Sequence, residues 1–292
     1  MILFMRRRKL GKGSTTGMTS WLRSMQVETS AFLHERLSTL STQDSFGNVM
    51  LVRWGCVATT PSFLTPCVTI NKSPGIHKVN NKKDFRLLLQ DQEISVPRTI
   101  SSQIPVSFAS FPMVVRPSRH LQGRNLWLVN NLGELLQVTS QLGDEWYAST
   151  FIDKVAEYRV YVVNGRVATV ARKTPANPAA AAWNVAQGGR FDVVRWSDWP
   201  MEVCRVAIEA FSLSGLDFSG VDVMVDREGA AYVIEANSAP SLPGLSDGSI
   251  SYRQKCMAKC FKYIYENGTE LEPATYAAGY RGVIHPAVLN GD

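Results

Sequence analysis

Three oxygen-bearing side chains in the C-terminal third of the chain have the types and spacing to share one divalent cation: Asp222, Glu235 and Asn237. Asp222 interrupts the apolar run Gly220-Val221-Asp222-Val223-Met224-Val225, and Glu235 and Asn237 close the run Tyr232-Val233-Ile234-Glu235-Ala236-Asn237. Both runs read as β-strands, and Asp226-Arg227-Glu228-Gly229 between them has the Asp and Gly of a tight hairpin turn. Side chains two apart on a strand share a face, so Glu235 and Asn237 point the same way and Asp222 can meet them across an antiparallel pair. Hard oxygen donors with open positions left over suit Mg²⁺, which takes a few carboxylates and completes its shell with phosphate and water. The plain alternative is a solvated hairpin with ordinary polar side chains. Three oxygen ligands in register, followed by Ser238-Ala239-Pro240-Ser241-Leu242-Pro243-Gly244, favour the metal.

The elements that must position this hairpin are legible around it. Glu157–Val163 and Arg166–Lys173 alternate about Asn164-Gly165, a strong hairpin signal. Residues 198–214 read as a helix with Val203, Val206, Ala207, Ala210 and Phe211 inward and Gly215 as its stop, and residues 251–265 as a basic amphipathic helix that packs on the body. Further upstream, strands are expected at 113–117, 125–129 and 146–152, and helices at 81–90 and 133–142. Residues 174–191 change to Pro, Ala, Asn and Gly, a functional loop by length and composition. At the start, strands at 2–5, 49–55 and 66–71 with a helix over 19–40 and a loop over 71–79 predict a small parallel sheet. Gly11-Lys12-Gly13-Ser14-Thr15 lacks the first glycine of a phosphate loop and reads as a strand-to-helix turn. Ser14 and Asn71 likewise read as turn residues.

Composition narrows the class. The chain has 292 residues, 45% apolar and 19% charged, as in a globular enzyme, and no apolar run of membrane-spanning length. The apolar start precedes the basic cluster Arg6-Arg7-Arg8-Lys9, the reverse of a secretory signal, so a cytoplasmic protein is expected. Five scattered cysteines form no zinc set. The net charge of +6 is spread out apart from that cluster and fits substrates carrying phosphates and carboxylates; nucleic-acid binding rests on the cluster alone.

Several pieces in order resemble the ATP-grasp superfamily, and within it amino-acid and peptide ligases such as the ribosomal-protein glutamate ligases and D-alanine–D-alanine ligase. Gly220-Val221-Asp222 and Glu235-Ala236-Asn237-Ser238-Ala239-Pro240 resemble its magnesium signature, Asn81-Lys82 and Val96-Pro97-Arg98-Thr99 its lysine helix and ending, and Val114-Val115-Arg116-Pro117 its Val-Val-Lys-Pro strand. Phe151-Ile152-Asp153-Lys154 resembles the hinge that reads adenine, while Asn184 and Gly188-Gly189 are similar to a segment of the glutamate ligases. Short ATP-grasp ligases of this look also occur in phage genomes.

The resemblance implies an α/β (α+β) protein: a pre-ATP-grasp domain over 1–80, an ATP-grasp domain over 81–265, divided near 152/153 into ATP-binding and metal-binding subdomains, and a tail over 266–292. It implies an ATP- and Mg²⁺-dependent carboxylate–amine ligase, with Mn²⁺ as a substitute metal, acting through an acyl phosphate. Lys82, Arg116, Phe151, Ile152, Asp153 and Glu157 would hold ATP; Asp222, Glu235 and Asn237 the metal; Arg159, Lys173 and Asn184 the acyl phosphate. Lys83 and Arg172 compete with their neighbours for the phosphate, and loops 118–124 and 174–190 would close over it. The partners implied are ATP, a carboxylate and an amine from an amino acid or peptide, and a homo-oligomer as in many such ligases. The rivals are an ATP-grasp small-molecule kinase and a non-catalytic nucleotide-binding regulator. Which carboxylate and which amine is left open.

Overall fold

The computed structural model describes residues 1–7, 11–33, 48–60, 64, 68–104, 106–118, 126–177, 183 and 188–289. Its first sheet holds β1 (Ile2–Arg6), β2 (Thr29–Leu33), β3 (Met50–Trp54) and β4 (Val68–Ile70) in the order β2-β1-β3-β4, every pair parallel. Helix α1 (Lys12–Ser24) connects β1 to β2. The helix expected over 19–40 is therefore corrected: it starts earlier and stops at Ser24, because Gln26 takes a left-handed φ of 60° and residues 29–33 gain a partner in β1. An apolar spacing that suited a helix was overruled by that pairing. Lys12–Thr15 form the first turn of α1, not a loop, and Ser14 Oγ accepts a hydrogen bond from the Leu242 N–H at 2.9 Å. The loop expected over 71–79 is mostly helix as well: α2 (Ser73–Asn80) carries Pro74 in its first turn, where no intrahelical N–H is needed. Asn71 is a clamp: its amide donates to the Phe218 carbonyl and its Oδ1 accepts from the N–H groups of Asp217 and Phe218.

Helix α3 (Lys82–Asp91) follows, with Asn81 as its N-cap. It leads into an antiparallel sheet of β5 (Thr99–Ser101), β6 (Met113–Pro117), β7 (Trp127–Val129) and β8 (Trp146–Thr150), in the order β5-β8-β6-β7. Helix α4 (Leu132–Ser140) covers it through Leu135, which packs with Ile100, Met113, Val115 and Ala148.

The third sheet carries the opening hairpin. It is antiparallel, in the order β11-β10-β9-β12-β13: β9 (Lys154–Val163), β10 (Arg166–Thr174), β11 (Arg190–Val194), β12 (Phe218–Asp226) and β13 (Ala231–Asn237). Asn164 and Gly165 both have positive φ, as the two-residue turn between β9 and β10 requires. The edge strand β11 was hidden in the Pro/Ala/Gly-rich stretch read as loop to residue 191. Helix α5 (Met201–Ser214) buries Val203, Val206, Ala207 and Ala210 against Val160, Val162, Val221, Val223 and Val233 on one face of this sheet. On the other face lies α6 (Tyr252–Asn267), which begins with a full capping box between Ser251 and Gln254. Its Phe261 meets the rings of Phe4, Trp54 and Phe218, so one core cluster joins the first and third sheets.

The segment expected as a tail folds onto β10. Arg166 donates to the carbonyls of Glu272, Pro273 and Gly282, Ile284 bridges to Val167, and the short helices α7 (Gly279–Val283) and α8 (Pro286–Leu289) follow. No described helix is long and apolar enough to cross a membrane.

Candidate active site

Strand β12 lies between β9 and β13 and is buried over Phe218–Val223, so a charge within that stretch must find partners. Asp222 finds them sideways. It stands opposite Arg159 on β9 and opposite Glu235 on β13. Arg159 donates two hydrogen bonds to the Asp222 carboxylate, Nε at 2.5 Å and Nη2 at 2.7 Å, a bidentate buried pair.

The register of β12 with β13 shifts between Asp222 and Val223, so that Ile234 is an extra residue on β13. This bulge is decisive. With unbroken alternation Glu235 would stand opposite Val221, on the face that packs against α5; with one inserted residue it stands opposite Asp222. Arg86 on α3 holds the bulge, donating through Nη2 to the Ile234 carbonyl and through Nη1 to Ser149 Oγ. Gly220, opposite Asn237, keeps the row narrow: a Cβ there would lie 2.6 Å from Pro240 and 3.2 Å from the Arg159 side chain.

A cleft of about 900 Å³, counting the space at its mouth, opens between the second and third sheets and reaches this row. Lys82 and Arg86 from α3, Arg116 from β6, Lys154 and Glu157 from β9, Lys173 from β10, Asp222 and Glu235 line it. Five cations against three carboxylates leave the lining two charges positive, a field that draws a polyphosphate. The rest of the wall is largely apolar and aromatic, including Val114, Tyr147, Phe151, Ile152, Met224 and Trp183. Glu157 accepts from Lys154 at 2.6 Å and from Lys173, whose Nζ lies 3.6 Å from Asp222; Glu235 accepts from Lys82. Lys154 also sits 4.8 Å from the Trp183 ring centre.

Burial and partners set the charge states. Burial opposes the charge on Lys173, but the Asp222 and Glu157 carboxylates outweigh it and raise its pKa. In Arg159 burial is likewise outweighed by Asp222, and the pKa rises. Burial wins at Lys154, whose pKa is lowered although Glu157 supports the charge. Burial would raise the Glu235 pKa; the charge and hydrogen bond of Lys82, then Arg159 and Asn237, overturn this and hold it well below the usual carboxylate range. The site is a lattice of paired charges.

Of the sequence candidates, the structure brings Lys82, Arg116, Phe151, Ile152, Glu157, Lys173, Asp222 and Glu235 to one cleft, with Arg159 directly behind Asp222. Asn237 shares the face of Glu235 and donates to the Gly220 carbonyl at 3.2 Å. Asp153 is not brought in: its carboxylate is exposed and accepts from Arg227 at 2.7 Å. Asn184 and most of loops 118–124 and 174–190 lie outside the described residues. Sequence reasoning missed Arg86 and gave Lys154 only a place in the hinge segment, with no role for its side-chain charge. Arg86 had a signal, since it follows Lys82 by four residues on one helix and so shares its face.

A family signature described as a RimK-like ATP-grasp domain matches residues 77–259, more than half of the chain and the whole of this site. The chain belongs to the RimK-like ATP-grasp family. It is thereby an ATP-grasp protein of the carboxylate–amine ligase type. A probable alpha-L-glutamate ligase of Hahella chejuensis is 26% identical over 208 residues, covering 67% of this chain and 67% of the relative. The tetrahydromethanopterin:alpha-L-glutamate ligase of Methanocaldococcus jannaschii is 25% identical over 213 residues, covering 67% and 70%. The chain thus spans about two thirds of the length of these relatives. Among solved structures, the ATP-grasp ligase PsnB in complex with minimal precursor, Mg and ADP has a TM-score of 0.66 at 13% identity, over 91% of this chain and 98% of that one. D-alanine–D-alanine ligase from Bacillus anthracis has a TM-score of 0.63 at 15% identity, over 91% and 98%. At these identities the structural likeness establishes the ATP-grasp fold.

The donor set fits the divalent metal that this family membership suggests. Asp222 and Glu235 stand side by side at the cleft, and each carboxylate oxygen that accepts from Arg159 or Lys82 keeps a further lone pair. The third donor is the Asn237 side chain, and among the described residues no three His, Cys, Asp or Glu side chains cluster. Two carboxylates and an amide oxygen make a poor all-protein cage but suit Mg²⁺, which keeps water and phosphate oxygens as ligands.

Proposed function

We propose that the protein is an ATP- and Mg²⁺-dependent carboxylate–amine ligase that works through an acyl phosphate. The observation that carries this reading is the row Arg159–Asp222–Glu235 across three strands, at the end of a cleft lined by the cations Lys82, Arg86, Arg116, Lys154 and Lys173. Phosphoryl transfer to a carboxylate brings anions together, so the chief demand on the protein is charge neutralisation, in-line placement and exclusion of water. Arg116 forms no ion pair among the described residues and is therefore available to the triphosphate; Lys82, shared with Glu235, is the second contact. Asp222, Glu235 and Asn237 would hold Mg²⁺, which would supply charge neutralisation to the phosphates when bound. Phe151 and Ile152 offer backbone groups and an apolar wall to the base, and Glu157 an acceptor to the ribose.

In the first step a carboxylate oxygen of the substrate attacks the γ-phosphorus; the bond to the β,γ-bridging oxygen breaks and ADP leaves. Arg159 and Lys173 stabilise the resulting acyl phosphate. In the second step an amine attacks the acyl carbon, inorganic phosphate departs and the nitrogen loses a proton, giving an amide. The glutamate-ligase relatives make an amino acid or peptide the substrate class to test first.

The test is a screen of amino acids and peptides, singly and in pairs, for ADP release with ATP and Mg²⁺, with products identified by mass. Release that needs both a carboxylate and an amine, with a product of their summed mass less water, supports ligation. A stable phosphorylated product formed without an amine would replace the ligase with a kinase.

A further inference from the structure

A second cavity lies where the C-terminal segment folds back over β10. It holds about 350 Å³, counting the space at its mouth, and shares no lining residue with the nucleotide cleft. Ala168 on β10 forms part of its wall, with Ile284 after α7 and Val288 and Leu289 of α8 as further apolar lining. Three aromatic rings complete it: Trp196 in the short turn Trp196–Asp198, Trp199 just beyond, and Tyr252, the first residue of α6. Trp199 is buried, but Trp196 is 49% and Tyr252 43% exposed, so two large rings are left half in water beside one cavity. Grouped exposure of this kind marks a binding surface far more often than a single exposed ring does. Along β10, Ala168 and Lys173 are five positions apart, roughly 16 Å at strand spacing. The cavity is thus separate from the row, and α6 begins between them: Tyr252 faces the cavity while Arg253, the next residue, is buried against Phe191.

The walls are fixed in place. Arg166 donates to the Gly282 carbonyl at 2.6 Å, the His285 N–H to the Val167 carbonyl at 2.8 Å, and Tyr280 meets the Trp196 ring edge-on at 6.4 Å. The polar groups of the aromatic walls are largely taken as well. Trp199 Nε1 donates to the Val194 carbonyl at 3.1 Å, and the Tyr252 hydroxyl hydrogen-bonds to the buried Cys256 thiol one helical turn on. One charged side chain lines the cavity, Arg281 of α7, and no carboxylate does. The Arg281 guanidinium is exposed and forms no ion pair or hydrogen bond among the described residues. A flat apolar slot with a single unpaired guanidinium asks for a ring that ends in one negative charge.

We propose that this cavity binds a small aromatic carboxylate, with the ring between Trp196, Trp199 and Tyr252 and the carboxylate on Arg281. A single guanidinium matches the single charge of a carboxylate better than the nearly double charge of a phosphate monoester. A free amino acid is disfavoured, because no carboxylate of the lining would meet its ammonium group. No group of the nucleotide cleft takes part, so the site stands whether or not the protein makes an amide.

The test is calorimetric titration of the full-length protein, saturated with ADP and Mg²⁺, with probes of one shape: indole-3-propionate, its neutral amide, and L-tryptophan. Indole-3-propionate is expected to bind saturably, one per chain. The amide lacks the charge for Arg281 and tryptophan adds an ammonium, so each should bind about 10-fold more weakly or worse. Arg281→Met should weaken indole-3-propionate by about 10-fold, and Trp196→Ala by a similar factor, through loss of the charged contact and of one ring wall. Both side chains are exposed, so the thermal midpoint should hold and ADP affinity should stay within about twofold of wild type. No saturable binding to wild type, equal affinity for the acid and its amide, or affinity unchanged in both variants would overturn the proposal. Competition between indole-3-propionate and ADP would also overturn it, by placing the probe in the nucleotide cleft. Phenyl phosphate bound more tightly than the acid, with the same dependence on Arg281, would overturn the choice of a carboxylate.

Discussion

Replacing Glu157 with glutamine removes one charge from a buried triad without changing its shape. Glu157 is 4% exposed and accepts from two lysines, Lys154 and Lys173. Removing one member of a buried pair costs about 3–5 kcal/mol, mostly because the other charge is left uncompensated. Two features reduce the loss here. The amide oxygen can still accept from one lysine, and Lys173 keeps Asp222 at 3.6 Å. The expected cost is therefore at the low end, about 3 kcal/mol, and it falls on Lys154, whose charge burial already disfavours. Lys154→Met alone should cost about 1 kcal/mol, since an apolar side chain of similar length replaces a cation held by a single carboxylate. In the double variant the orphaned ammonium is absent, so it should be more stable than Glu157→Gln by about 1–2 kcal/mol, a coupling well outside additivity. Reversible urea unfolding followed by tryptophan fluorescence measures all three, and Trp183, stacked on Lys154, reports locally. Strict additivity within about 0.5 kcal/mol, or a Glu157→Gln variant as stable as wild type, would refute the claim that these three groups form one electrostatic unit.

Other perturbations reach different parts of the account. Arg86→Met removes the donor to the Ile234 carbonyl; the bulge should relax, Glu235 should lose its place beside Asp222, and Mg²⁺-dependent ADP binding should weaken by about tenfold, as for loss of one charged hydrogen bond of about 1.5 kcal/mol. Unchanged Mg²⁺ dependence would show that the bulge stands without Arg86. His285, fully buried beside Tyr263 with its Nε2 unpartnered, has its pKa lowered to about 4 by burial and then by Arg166. A lowered histidine pKa means the unfolded chain binds the proton first, so its contribution is complete above about pH 6.5 and is lost as pH falls towards 4, by about 3 kcal/mol in all. His285→Gln should flatten that part of the stability–pH curve; an unaltered slope would place the acid sensitivity elsewhere.

Much of the site was legible because its pieces are local. Asn81 before a helix, Asn164-Gly165 between two strands, and carboxylates interrupting apolar strands each announce themselves in a few residues. The carboxylate row was legible only in part: alternation put Glu235 and Asn237 together, but the meeting with Asp222 depends on the Ile234 bulge, which Arg86 supports from a helix almost 150 residues away in sequence. Nothing in the strand itself marks it. The stretch 19–40 misled for the opposite reason, since its apolar spacing suits a helix and only pairing with β1 turns residues 29–33 into a strand. Arg253 was read as one basic residue of an amphipathic helix, and its burial behind Phe191 follows from the packing of α6 on the sheet, which no local pattern encodes.

The central claim is that a carboxylate oxygen attacks the γ-phosphorus. Once a ligated pair is identified, its carboxylate can be labelled with heavy oxygen and the released inorganic phosphate analysed by mass. An acyl phosphate requires one labelled oxygen to appear in the phosphate for each amide formed. Unlabelled phosphate accompanying amide formation would contradict it.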